Sequence, residues 1–145
     1  MRAPRALPKP ICWRRGSRPT CSRSPRQVQI ATDHAKGAAA RLAGREVPKF
    51  PDNETSFDEL KTRIARVMGF VSSVEVAEID GSENRDITLN VAGKPTTFTG
   101  QHYLIHSALP NFYFHVTTAY DILRHKGVPL GKRDYLGQLR IKAPA

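Results

Sequence analysis

The side chains best placed for chemistry in this 145-residue chain are histidines, of which there are five. His34 falls at the edge of an apolar helical stripe, four residues after Ile30 and four before Ala38. His115 lies in a strongly apolar stretch, with Asn111 one turn earlier on the same face, and His106 precedes Pro110. Neutral imidazole is a common ligand for Zn, Ni, Cu and Fe. Two histidines on facing helices of a bundle, with a third polar group one turn away, can form such a site. Asp33 and Asp121 are candidates for further ligands or for partners that orient a ring. The competing expectation is that these imidazoles are hydrogen-bonded core residues without a ligand. His102 is expected to be exposed near a helix start, and His125 to sit at a helix end where a cation suits the dipole. Tyr113, Phe114 and Tyr120 read as packing residues. The chain has no glycine-rich phosphate loop, Cys-x-x-Cys, His-Glu-x-x-His or nucleophile elbow.

The elements that must position these residues can be read from periodicity. Val28, Ala31, Ala35, Ala38, Ala39 and Leu42 recur at helical spacing, and Gly44 follows as a stop. That predicts a helix over 26–43. Ser56 with Glu59 forms a capping box, and Phe57, Leu60, Ile64, Val67, Met68 and Val71 follow at i, i+3, i+4 spacing. That predicts a helix over 56–72, with one more helical turn in 74–79. Residues 87–91 alternate as a strand, Ala92-Gly93-Lys94 turns, and 96–99 return, so a β-hairpin packed on the helices is expected. Residues 100–126 are apolar almost all round, which predicts a helix central to a bundle. Thr99 should cap it, Pro110 should kink or split it, and Gly127 with Pro129 should end it. The fold class is all-α with one small hairpin.

Charge divides the chain in two. The net charge is +10. Residues 1–26 hold eight basic side chains and no acid, which leaves 15 basic against 13 acidic in the rest, a balance of +2. Cys12, Cys21, Trp13 and five of the eleven prolines also fall in the basic segment. A nearly neutral folded part argues against a nucleic-acid partner. No run of about 18 apolar residues offers a transmembrane helix, and two cysteines make no disulfide scaffold. The expected organisation is a disordered Pro/Arg-rich segment over 1–25, one domain over 26–138 and a tail over 139–145, in a cytoplasmic protein.

Three stretches carry a family resemblance: RQVQIATDHAKGAAARLAG at 26–44, DNETSFDELKTRI at 52–64, and TFTGQHYLIHSALPNFYFHVTTAYDILRHKGVPLGKRDYLG at 97–137. They resemble an uncharacterised bacterial family, the domain of unknown function numbered nineteen ninety-three, which looks like a branch of the DinB/YfiT-like superfamily. The resemblance implies an up-down-up-down four-helix bundle, often a homodimer. It also implies, for many superfamily members, three histidines on a divalent metal such as Zn or Ni, one from the second helix and two from a His-x-x-x-His on the fourth. Some members are thiol-dependent transferases or isomerases. Carried over by position, His34 takes the second-helix place and His115 the second place of the fourth-helix pair. Asn111 stands at the first place, and its neutral oxygen is a poor ligand for Zn or Ni; His106 or Asp33 are the substitutes at hand. Three functions follow: a bundle that binds a metal or small ligand through His34 and His115, a non-catalytic dimerisation module, and, by analogy alone, a metal-dependent thiol transferase.

The family pattern also includes a first helix and a segment like Leu-Leu-x-x-Arg-Leu-Ala-Pro-Asp-Met-Phe-Pro-Leu before Gln-Val-Gln. Here 11–25 stand in that place. A reading-frame slip accounts for this: with a CG-type codon at Arg14, Cys12-Trp13-Arg14 regroups by one base to Leu-Ala, and Pro19 to Ser24 can regroup to Asp-Met-Phe-Pro-Leu. An organellar transit peptide is the alternative, but five prolines oppose the amphipathic helix it needs, and no secretory apolar core of about 7–15 residues is present. A bundle lacking its first helix exposes an apolar groove that favours dimerisation or aggregation. The chain as written should therefore melt at a lower temperature than a frame-restored version; equal thermal midpoints would contradict the slip's structural consequence.

Overall fold

The computed structural model describes residues 23–138. The expectations for residues 1–22, their shifted frame and the 139–145 tail lie outside the described residues; residues 23–25, expected to be disordered, instead open the first helix.

Helix α1 spans Arg23–Leu42. It ends where glycine is needed: Gly44 has φ +69°, its N–H donates to the Arg41 carbonyl at 3.2 Å, and the Arg45 N–H donates to the Ala40 carbonyl at 2.8 Å. Those two bonds satisfy carbonyls that a helix end leaves open. Helix α2, Phe57–Ser72, starts with the expected reciprocal cap. The Glu59 N–H donates to Ser56 Oγ and the Ser56 N–H to the Glu59 carboxylate, each at 3.1 Å. Helix α3, Val76–Ile79, is a single turn held by Arg45, whose guanidinium donates to both carboxylate oxygens of Glu78 at 2.7 and 2.5 Å.

After a 3₁₀ turn at Ser82–Asn84, strands β1 (Asp86–Val91) and β2 (Lys94–Thr99) pair antiparallel, with Ile87 opposite Phe98 and Val91 opposite Lys94. Only Ala92 and Gly93 lie between them, at φ +50° and +82°. Two consecutive positive φ values define the primed turn whose twist matches paired strands.

Thr99 caps the next helix: its Oγ1 accepts the His102 N–H at 3.4 Å. Helix α4 (Gly100–Tyr103), a π-helical turn (Leu104–Ala108) and helix α5 (Leu109–His125) run on as one rod. Pro110 does not split it. A proline lacks a donor, and its ring crowds the carbonyl four residues back, here that of His106. The rod widens by one residue instead, with the Leu109 N–H donating to the Leu104 carbonyl. Gly127, at φ +86°, ends α5, and the short helix α6 (Lys132–Leu136) folds back so that Tyr135 donates or accepts with Thr117 Oγ1 at 3.0 Å.

The expectation of a central rod needs correction. No residue of α5 is fully buried. Helix α1 occupies the centre, packing against both α2 and α5, and it buries Gln29, Ala31, Thr32, Lys36, Ala40 and Leu42. All-round apolarity in α5 serves two surfaces: one against α1, the other along a groove. Three long helical segments stand among the described residues, so the sequence is mostly helical with one hairpin, as expected. The hydrophobic core sits at the hairpin end, where Leu42, Ile87, Tyr103 and Ala108 meet, flanked by Leu89, Phe98 and Leu104. The hairpin thus docks on the helices.

Gly100 is fixed by close approach. A Cβ there would lie 2.0 Å from the Ser82 carbonyl oxygen. Backbone at that point must shift to admit a methyl group. Gly100→Ala should lower unfolding free energy by about 1–3 kcal/mol, the usual cost of overpacking; an unchanged denaturant midpoint would show that the 3₁₀ turn yields freely.

Candidate functional site

Two faces of α1 build the site. Successive helical residues rotate by about 100°, so Thr32 and Asp33 turn toward α2 while His34 turns toward α5.

The α2 side is polar and buried. Arg63 has a side chain only 2% exposed. Its Nη2 pairs with Asp33 at 2.8 Å and Asp52 at 3.0 Å, and its Nη1 with Glu54 at 3.0 Å and the Pro51 carbonyl at 3.1 Å. Its Nε donates to Thr32 Oγ1 at 2.8 Å. Lys36 pairs with Asp33, Arg26 with Asp52, and Gln29 donates to Glu54 at 2.8 Å. Burial alone would raise the Glu54 pKa; hydrogen bonds from Gln29 and Arg63 and the guanidinium charge outweigh it and hold the carboxyl below its usual range.

The α5 side carries the histidines. His34 and His115, both half-buried, stack with ring centroids 5.9 Å apart and planes 13° from parallel. His115 Nδ1 lies 2.7 Å from Gln27 Oε1. With that carbonyl accepting, Nδ1 holds the proton and Nε2 presents a lone pair. The ring of Phe114 meets His115 edge-on at 5.2 Å. The His34 pKa is lowered by burial first, then by the neighbouring His115 and by Arg41, against an upward pull from Asp33. Burial, then the Arg26 charge, lowers that of His115. Both shifts favour the neutral form of the ring.

His115 also lines a cavity of about 570 Å³ between α1, α2 and α5. Its walls are apolar, with Val28, Ala31, Ile64, Val67, Phe112 and Val116 among them, and Thr32, Ser72 and His115 supply the polar atoms. Thus a groove along the three helices, expected from the sequence, is present.

The remaining candidates lie elsewhere. Asn111 is exposed, and its amide donates to the Ser107 carbonyl at 2.7 Å. Asp33 serves Arg63 and Lys36. Asp121 is exposed, on a surface hollow with Gln27 and His125. His106 is exposed beside His102. Among the described residues no three His, Cys, Asp or Glu side chains converge to hold a metal ion. The donors present therefore do not fit the three-ligand centre that the resemblance implies. Gln27 was not among the sequence candidates. The signal that points to it is its place two turns before His34, on the same face.

A helix-centred domain with paired imidazoles over an apolar cavity matches known proteins in two comparisons. Residues 24–136 match the family described as domain of unknown function DUF1993, and the chain belongs to that family. It is similar to a solved DinB family member protein from Shewanella denitrificans, at 44% identity and a TM-score of 0.74, over 83% of this chain and 68% of that one. No curated protein matches. Among the described residues no helix is long and apolar enough to cross a membrane.

The neutral histidines fix a pH response. Their folded pKa values lie below the ordinary 6.5, so between those values and 6.5 the unfolded chain binds more protons than the folded one. Their contribution to stability is complete above about pH 6.5 and is lost as pH falls toward the folded values. His34→Gln and His115→Gln, which cannot titrate, should each flatten the fall in thermal midpoint between about pH 7.5 and 5.5. Slopes equal to the parent's would refute this.

Proposed function

We propose that this chain binds a small, largely apolar ligand in the α1–α2–α5 groove, with His115, backed by the stacked His34, contacting the ligand's polar end. The observation that carries this reading is the position of His115: it lines the cavity wall and also stacks on a second neutral imidazole. A volume of about 570 Å³, mostly apolar walls and a few convergent polar groups with perturbed pKa values are the usual attributes of a small-molecule site. A neutral imidazole both accepts and donates hydrogen bonds, and Nε2 of His115 is the acceptor. Because the described donors do not fit a three-ligand metal, no metal-dependent transfer step is derived.

The homodimer expectation supplies a second reading for the same groove. Of the groove residues, Met68 is 64% exposed and Ile64 and Val71 are 38% and 39% exposed, which suits a bundle partner. In that reading the groove is a helix seat and the histidines are hydrogen-bonded wall residues.

Calorimetric titration with a homologous series of straight-chain alcohols separates the two. Ligand binding predicts affinity rising about fourfold per methylene, from about 0.8 kcal/mol per buried CH₂. Val116→Trp, which fills the cavity, should abolish binding, and His115→Phe should remove the preference for an alcohol over the alkane of equal length. Affinity that ignores chain length or survives Val116→Trp would overturn the ligand reading. A stable dimer by sedimentation, with alcohols excluded, would establish the second.

A further inference from the structure

A second histidine pair lies outside this site. His102 and His106 are four residues apart on the rod, both exposed, with ring centroids 4.5 Å apart and planes tilted by 39°. The groove histidine His115 is nine residues further on, about 13 Å along the helix axis. We propose that His102 and His106 chelate a borderline divalent transition ion, of the Cu²⁺, Ni²⁺ or Zn²⁺ class, through one nitrogen of each ring.

Three features of the fold bring the pair together. First, the rings sit on adjacent turns of one face, the spacing at which two imidazoles reach a common ion. Second, the backbone beneath them is fixed: Gly100, Tyr103 and Ala108 are buried on the opposite side, and Thr99 caps the His102 N–H. Phe98 of β2 stacks on His102 at 5.9 Å and 11°, so one ring is buttressed from the hairpin. Third, His106 belongs to the π-helical turn forced by Pro110. Such turns redirect single side chains and recur at functional sites.

The donor set defines the ion. Two imidazole nitrogens and no carboxylate suit borderline metals and give little to Mg²⁺ or Ca²⁺, which need oxygen. The remaining positions are left to water, so binding is labile and follows the order of intrinsic affinity, Cu²⁺ ahead of Ni²⁺ and Zn²⁺. This site is independent of the groove and of any ligand there.

Paramagnetic broadening of amide NMR signals by Ni²⁺ tests the proposal on the full, untagged chain, with Cys12→Ser and Cys21→Ser so that thiolates do not compete. Broadening should centre on 98–109. His102→Ala and His106→Ala, both exposed and checked for folding by circular dichroism, should each weaken binding by about tenfold or more, whereas His34→Ala should leave it unchanged. Broadening centred on His34 and His115, survival in both single variants, or no broadening at millimolar Ni²⁺ would each overturn it.

Discussion

The structure turns on the Arg63 guanidinium. It is almost fully buried and reaches three carboxylates, a backbone carbonyl and a hydroxyl. Taking such a group from water is costly, and only near-complete hydrogen bonding offsets the loss. Its partners come from α1, from the 51–54 loop and, through Arg63 itself, from α2. That geometry fixes the rotation of α1 about its axis. Since Asp33 and Thr32 must face Arg63, His34 must face α5. A 100° error in that rotation would separate the stacked imidazoles. Removing the arginine would leave the largely buried Glu54 carboxylate without its cation, while Lys36 and Arg26 still pair with Asp33 and Asp52, so the loss should fall below the about 3–5 kcal/mol usual when a fully buried pair is broken.

The apolar core has a different location and a different role. Leu42, Ile87, Tyr103 and Ala108 lock the hairpin end of the molecule, and Arg41 reaches the Tyr103 hydroxyl at 3.0 Å. The region between α1, α2 and α5 has polar bonds on its α1–α2 side and an apolar cavity beside them. The hairpin end is thus held by packing and the α1–α2 side by ion pairing. A ligand site beside those ion pairs can be apolar without being filled by the protein's own side chains.

Much of the secondary structure was legible because its signals are local. Ser56 with Glu59, Gly44, Gly127 and the Ala92-Gly93 pair each act within four residues of themselves, and each marks the boundary it suggested. The His34–His115 pairing was also legible, from helical spacing and from family resemblance. Other features were not. Nothing local in the sequence marks Arg63, because its partner Asp33 lies 30 residues away. The central place of α1 was hidden because all-round apolarity in 100–126 does not tell a buried face from one lining a groove. Pro110 announced a disturbance, but whether the helix bends or widens depends on what packs against it.

The bond between His115 and Gln27 joins residues 88 apart in the chain. The α1–α2 ion pairs and the hairpin close much shorter loops. Chain entropy makes so distant a contact costlier to close than the shorter loops. The imidazole pair therefore exists only while α5 is docked on α1, and a chain with α5 undocked holds two isolated histidines with no site between them. Anything that depends on the pair depends equally on the contact that joins the two ends of the described chain.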